Sequence, residues 1–229
     1  MRVAAIVPAL NEKDCIAAVV REVIDNNPEI TVFVVDNGST DATAEVARAA
    51  GAQVVGEPRR GYGYACAAGV AAAGDGFDVL VFLDGDGSND AGQMRTLVTP
   101  IEQNNADLVL GSRTLGLAAR GALQPHQRLG NALTAALVRL LYRQKITDLP
   151  PFKAIRRPVL AGLDMHEMTY GWTVEMIVKC AKRGHCILEV PATARPRIGG
   201  QSKVSGTVKG TVLAAYYLLG TTIKYAWTG

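Results

Sequence analysis

Four short apolar runs rich in β-branched residues constrain this chain more than anything else in it. Val3–Val7, Thr31–Val35, Asp78–Leu83 and Asp107–Leu110 read as strands, with Gln53–Val55 as a shorter one. Helical patterns fall between them: near Lys13–Asn26, over Asp41–Ala50 with Gly51 as its stop, over Tyr62–Ala73 and over Gln93–Gln103. Strands alternating with helices of this length imply a largely parallel sheet covered on both faces. Ligands of such sheets sit at the carboxyl ends of the strands, so the polar residues after each run are where chemistry is expected.

Beyond residue 112 the pattern becomes more helical and more basic. Gln127–Tyr142 reads as a long amphipathic helix carrying Arg128, Arg139 and Arg143, Trp172–Lys182 as a further helix, and Phe152–Ile155 and Ile187–Val190 as short strands. Residues 1–112 hold seven Lys/Arg against sixteen Asp/Glu, whereas residues 113–229 hold seventeen against five. A split of this kind suggests two faces with different partners, the basic one suited to phosphates or anionic headgroups. Thr207–Trp227 reads as a final helix, apolar from Gly210 to Ile223. That core rises only about 21 Å, short of a hydrocarbon layer of about 30 Å. Two placements stay open for it: an interfacial helix anchored by Tyr216, Tyr217, Tyr225 and Trp227, or a helix docked on the protein's own core. No signal-peptide pattern appears at the N-terminus. The four cysteines form neither a CxxC pair nor zinc spacing with the three histidines, which suits reduced thiols in a cytoplasmic protein. We find no internal boundary and expect one domain over 1–229, with halves at 1–112 and 113–206 and the apolar helix over 207–229.

Three strand ends carry the candidate chemistry. After Asp78–Leu83 comes Asp84-Gly85-Asp86-Gly87-Ser88, where two carboxylates two residues apart can approach one cation while the glycines let the backbone turn. Hard oxygen ligands suit Mg²⁺ or Mn²⁺, and a diphosphate beside such a pair requires the cation electrostatically. A bare Asp-x-Asp is also a common turn sequence; its position after a strongly apolar strand favours the metal. After Thr31–Val35 comes Asp36-Asn37-Gly38-Ser39-Thr40, in which Asp36 is placed to accept hydrogen bonds from a ribose or base, and Ser39 or Thr40 to cap the next helix. After Val3–Val7 comes Pro8-Ala9-Leu10-Asn11-Glu12. Arg59-Arg60-Gly61-Tyr62-Gly63 lacks the full dinucleotide-binding fingerprint.

Taken together with Gly111-Ser112-Arg113 and the basic stretch Arg195–Gly206, these motifs make the chain resemble a family 2 glycosyltransferase of GT-A fold, closest to the dolichyl- or polyprenyl-phosphate sugar synthases, over about residues 3–206. The resemblance implies an α/β fold with a mostly parallel sheet flanked by helices, and an inverting hexose transfer from a nucleotide sugar, GDP-mannose or UDP-glucose, to a polyprenyl or dolichyl phosphate. It assigns Pro8, Leu10, Asn11, Glu12, Asp36, Gly38, Arg60, Asp84 and Gly85 to the nucleotide sugar, and Asp84 and Asp86 to Mg²⁺ or Mn²⁺. Asp86 and Arg113 become the catalytic candidates, and Arg195, Arg197, Ser202 and Lys203 the acceptor-phosphate candidates. It also puts Glu175 near the acceptor. Asn37 departs from the usual second Asp, and Ser88 from a frequent Gln. Peripheral association with the cytoplasmic face of a membrane is expected, and nucleic acid is not. Transfer to a soluble or protein-bound acceptor is one alternative; a nucleotidyltransferase is another, although Pro8–Glu12 is not its Gly-rich triphosphate loop. An anionic acceptor phosphate needs no strong general base, and no Ser-His-Asp or Cys-His set is evident.

Overall fold

The strand β1 (Val3–Ala9) sends alternate side chains into two different apolar cores, which is why no polar residue interrupts it until Pro8 is passed. Val3, Ala5, Val7 and Ala9 join one cluster, while Ala4 and Ile6 join the other. This follows from the two-residue period of a strand covered on both faces. In a computed structural model, which describes residues 1–119, 122, 125–199 and 219–226, the remaining strands are β2 (Thr31–Asp36), β3 (Gln53–Gly56), β4 (Val79–Phe82), β5 (Leu108–Ser112), β6 (Lys153–Arg156) and β7 (Ile187–Pro191). They form one 7-stranded sheet in the order β3-β2-β1-β4-β6-β5-β7. Every neighbour pair is parallel except those made by β6, which runs antiparallel between β4 and β5.

Helices α1 (Ile16–Asn26) and α4 (Met94–Glu102) bury Ile16, Val19, Val20 and Val23, and Met94, Leu97, Val98 and Ile101, on the first face of the sheet; α2 (Thr43–Ala49) adds Ala47. Helices α3 (Tyr62–Ala73), α5 (Pro125–Tyr142), α6 (Arg157–Leu163) and α7 (Trp172–Lys182) cover the second. Among the described residues the expected elements are present, with shifted edges; of the helix expected over Thr207–Trp227, all but 219–226 lies outside them. α1 starts at Ile16 rather than near Lys13, because Glu12 O first accepts the N–H groups of Cys15 and Ile16 in a turn. α6 is a helix that the sequence reading lacks. It follows β6 without a loop, and Pro158 in its first turn is its only local signal.

This topology gathers the candidate residues on one edge. The carboxyl ends of β2, β1 and β4 lie side by side, about 4.8 Å per strand, and those of β5 and β7 lie at the same edge. Since β6 is antiparallel, its first residue, Lys153, sits opposite Phe82 at the end of β4. Among the described residues no helix is long and apolar enough to cross a membrane.

The N-terminus of α3 packs directly on the backbone of the 167–168 segment, and the Tyr64 N–H donates to Met168 O at 3.0 Å. A Cβ at Gly63 would stand 2.5 Å from Met168 Cα. Gly63→Ala is therefore expected to cost about 1–3 kcal/mol by forcing the two backbones apart, read as a lower denaturation midpoint with an unchanged slope. An unchanged midpoint would show that the contact is loose.

Candidate active site

The first two strand exits are tied together by backbone-to-side-chain hydrogen bonds. Asn11 N–H donates to Ser39 Oγ at 2.9 Å, and Thr40 N–H donates to Asn11 Oδ1 at 2.7 Å. Glu12 N–H donates to Thr43 Oγ1 at 2.8 Å. Neither Ser39 nor Thr40 caps α2 as expected. Asp41 accepts the Thr43 N–H at 3.0 Å instead, while Ser39 Oγ and the Thr40 hydroxyl are engaged with Asn11. Asp36 Oδ1 accepts the Ser39 N–H at 3.0 Å, and Asp36, Gly38, Gly56, Glu57 and Pro58 line an open depression beyond β2. Arg60 lies across Gly38, its Nε 3.4 Å from the position of a Cβ there.

Asn37 is buried and makes a clamp. Its amide donates to Glu57 O at 3.0 Å and Arg59 O at 2.7 Å, and its Oδ1 accepts the Gly61 N–H at 2.9 Å. A carboxylate cannot donate to those two carbonyls. The departure at this position is thus a support for the loop that carries Arg59 and Arg60, not simply a lost negative charge.

At the third exit, Asp84 N–H donates to Asn89 Oδ1 and Ser88 N–H to Asp86 Oδ1, each at 2.9 Å, which shapes the turn. Gly85 lies against Pro8 O, 3.2 Å from the position of a Cβ, so the exits of β1 and β4 touch. A segment from the far end of the chain straps this turn. Arg195 N–H donates to Ser88 O at 2.8 Å, Ile198 N–H donates to Asp86 O at 3.0 Å, and the Ile198 side chain covers Gly87. Arg197 then spans two exits: Nη1 donates to Asp86 Oδ2 at 2.9 Å, while Nη2 donates to both Glu12 carboxylate oxygens at 2.7 Å. Arg195 is held differently, by Glu22 at 2.8 Å and Asp90 at 2.7 Å. Ser202 and Lys203 lie outside the described residues.

Two cations stand behind the carboxylate pair. Arg113, just past β5, donates from Nε and Nη2 to the two oxygens of the fully buried Asp148 at 2.8 and 2.7 Å. Lys153 is also fully buried; its Nζ donates to Thr173 Oγ1 at 3.0 Å and Pro151 O at 3.2 Å and lies 5.5 Å from the Phe82 ring centroid. Burial pulls the Lys153 ammonium down to about 8, against the opposing pull of Asp84. Burial, and next the neighbouring Asp86 carboxylate, push Asp84 upward, and Lys153, Arg113 and Arg197 only partly offset that. Two carboxylates that repel each other at the end of a buried strand fit a divalent cation, which would relieve both costs. Among the described residues no group of three His, Cys, Asp or Glu side chains is arranged to hold a metal. Asp84 and Asp86 would thus supply a minority of the ligands, leaving positions for diphosphate oxygens and water, as Mg²⁺ favours.

Two residues central to this arrangement, Asp148 and Glu189, went unread in the sequence. Asp148 also accepts the Arg113 N–H at 2.8 Å and the Asn131 amide at 2.6 Å. Glu189, on β7, accepts the N–H groups of Thr147 and Asp148 at 2.9 and 3.0 Å. The signal that was available is scarcity: these are two of only five acidic residues beyond position 112. Glu175 is a third, and the structure gives it a supporting part. Fully buried, it accepts the His166 and Glu167 N–H groups and the Tyr225 hydroxyl at 2.6 Å. That contact also places the described end of the last helix. Residues 219–226 dock on the protein's own core, with Thr222 and Tyr225 buried and Tyr142 Oη donating to Thr222 O at 2.6 Å.

Residues 4–163 match the family described as Glycosyl transferase family 2. An uncharacterized glycosyltransferase of Mycobacterium tuberculosis is 37% identical over 213 residues, which cover 93% of this chain and 94% of that one. The undecaprenyl-phosphate mannosyltransferase of Micrococcus luteus is 32% identical over 221 residues, 92% of this chain and 90% of that one. Among solved structures, glucosyl-3-phosphoglycerate synthase from Mycobacterium tuberculosis, in complex with Mn²⁺, uridine diphosphate and phosphoglyceric acid, shares the fold with a TM-score of 0.77 at 20% identity, over 99% of this chain and 79% of that one. The sheet with its flanking helices is therefore a GT-A fold.

Proposed function

Because this chain belongs to glycosyl transferase family 2, we propose that it moves a hexose from a nucleoside-diphosphate sugar to a polyprenyl phosphate, with inversion at the anomeric carbon and with a divalent cation. The observation that carries this reading is the Arg197 guanidinium bridging Glu12 and Asp86, which brings the exits of β1 and β4 and the basic strap to one point. The name of the Micrococcus luteus relative supports mannose and a lipid-linked phosphate.

Each part of the site has a task in this reaction. The depression at Asp36, Gly38 and Pro58 takes the nucleoside, with Asp36 as acceptor for a ribose or base and Arg60 at its rim. Pro8, Leu10, Asn11 and Glu12 form the wall shared with β1, and Gly85 gives the diphosphate close access to backbone. Asp84 and Asp86 would hold the divalent cation, which when bound would supply Lewis-acid charge for the departing nucleoside diphosphate. Arg113 adds fixed positive charge to the same region, already oriented by Asp148. The acceptor phosphate is anionic at neutral pH and attacks without deprotonation. What it needs is alignment by guanidinium and ammonium donors. Arg197 exchanges Asp86 for phosphate oxygens, and Arg195, Ser202 and Lys203 extend the same basic strap.

Thermal shift with a panel of nucleotide sugars, with and without Mn²⁺, tests the donor half. At saturating ligand, about 100 Kd, binding contributes about 2.7 kcal/mol, or about 5–10 °C in a domain of this size. The shift is expected for one nucleotide sugar and only with the metal present. Transfer from that donor to a detergent-solubilised polyprenyl phosphate tests the acceptor half. No shift with any donor would overturn the reading.

A further inference from the structure

Helix α5 carries two stripes of recurring residues, and among the described residues only one of them packs into the fold. Asn131, Ala135, Val138 and Tyr142 recur at i, i+4, i+7 and i+11 and face inward. Ala135 and Val138 sit in the core, Tyr142 bonds to Thr222, and Asn131 reaches the Asp148 that holds Arg113. Leu129, Leu133, Ala136 and Leu140 repeat the same spacing two residues earlier, which puts them about 200° around the helix. Leu129, Leu133 and Leu140 are 72%, 55% and 76% exposed. At 100° per residue Arg128 and Arg139 fall along one side of this outer stripe, both exposed; Arg143, also exposed, follows the last residue of the helix with a φ of 55°, and α5 contains no Asp or Glu. Scattered surface leucines need no explanation, but a four-position stripe edged by arginines on one helix does.

We infer that the outer face of α5 is the surface by which this protein lies on an anionic phospholipid bilayer. The charge pattern selects the partner. An interface with another protein would present both signs, whereas a row of guanidinium groups beside leucines, without acidic residues, matches lipid phosphates above acyl chains. An 18-residue helix spans about 27 Å, enough to lie in the headgroup plane. Of the two placements open for the last helix, residues 219–226 take the one packed on the protein core. The inference deepens the proposed lipid-phosphate acceptor and rests on it for its purpose. The helix that lies on the membrane is the one whose inner face meets the Arg113–Asp148 pair, so a headgroup phosphate arriving at the bilayer surface is delivered beside the site.

The test is co-sedimentation of the full chain with vesicles of phosphatidylcholine, with or without phosphatidylglycerol. Wild-type protein is expected to bind the anionic vesicles roughly tenfold better than the neutral ones. Leu133→Glu/Leu140→Glu is expected to lose roughly tenfold in binding, with thermal midpoint and mass in solution unchanged. Undiminished binding by the double variant overturns the inference. So does a fall in its midpoint of several degrees, which would mark the stripe as covered by the chain itself, or a change from dimer to monomer, which would mark it as an interface between copies. Transfer to a short-chain, water-soluble polyprenyl phosphate separates this inference from the reading beneath it. That activity is expected to survive in the double variant, and its absence in wild-type protein would count against the acceptor, not the surface.

Discussion

Asp86→Ala is expected to lower kcat/KM for sugar transfer by about three orders of magnitude or more, the loss of roughly 4 kcal/mol of transition-state stabilisation. Among the described residues the side chain bonds to the Ser88 N–H and to Arg197, and its removal leaves the apolar core intact. Part of the upward push on Asp84 disappears with it, and Asp84 retains Lys153 and Arg113 behind it. One carboxylate with two cations at its back is a poor divalent site, because the favourable field that drew the cation is cancelled. The loss should therefore appear in the Mn²⁺ titration, with no saturation in the range where wild-type protein saturates, while the thermal midpoint without metal stays near wild type. Arg197→Ala at the same site provides the contrast. It removes a cation that competes for Asp86, so the metal dependence should shift toward lower Mn²⁺ even as kcat falls. Full turnover by Asp86→Ala would remove the metal from this turn.

How much of this was legible follows from where the information lies. The exits of β1, β2 and β4 could be read because strand periodicity ends at Pro8, Asp36 and Asp84, and a parallel sheet sends such ends to one edge. The order of the sheet, and β6 entering it backwards, are not local properties. Phe152–Ile155 reads as a short strand in either direction. Lys153 was read only as one residue of that strand, yet the reversal of β6 is what buries it behind Asp84. Arg113 could be singled out, but not its partner, because Asp148 is 35 residues away, and it takes the antiparallel β5–β6 pairing, with Glu189 on β7 holding the Asp148 N–H, to bring the two together. The last helix was undecided for a related reason. Apolar content specifies that a face is buried, not against what, and the decision at residues 219–226 rests on Tyr225 reaching a glutamate on α7.

The second large effect belongs to Asp148. Removing one partner of a buried ion pair costs about 3–5 kcal/mol, because the other charge stays behind without compensation. Arg113 is little exposed, and Asp148 also satisfies the Arg113 and Leu149 N–H groups and the Asn131 amide. Asp148→Ala is accordingly expected to lower the thermal midpoint by roughly 6–20 °C, at about 2–4 °C per kcal/mol. Replacing both partners, as Arg113→Met/Asp148→Leu, should cost less than Asp148→Ala alone, since no charge remains unpaired. A double variant as unstable as the sum of the single ones would show that the pair is not coupled. The pH dependence has a definite sign. Burial pushes the Asp148 carboxyl up, but the hydrogen bonds and charge of Arg113 outweigh it and hold the group below the ordinary carboxylate range. A depressed carboxylate contributes stability that is full above about pH 4 and is lost as pH falls through the native value. Asp148→Asn should therefore flatten the acid limb of the stability curve while keeping one of the two backbone N–H contacts, since its amide has a single acceptor oxygen. Since Asp148 is fully buried against Arg113, that variant separates orientation from fold: a guanidinium no longer held in register should lose kcat at temperatures where the protein is still fully folded.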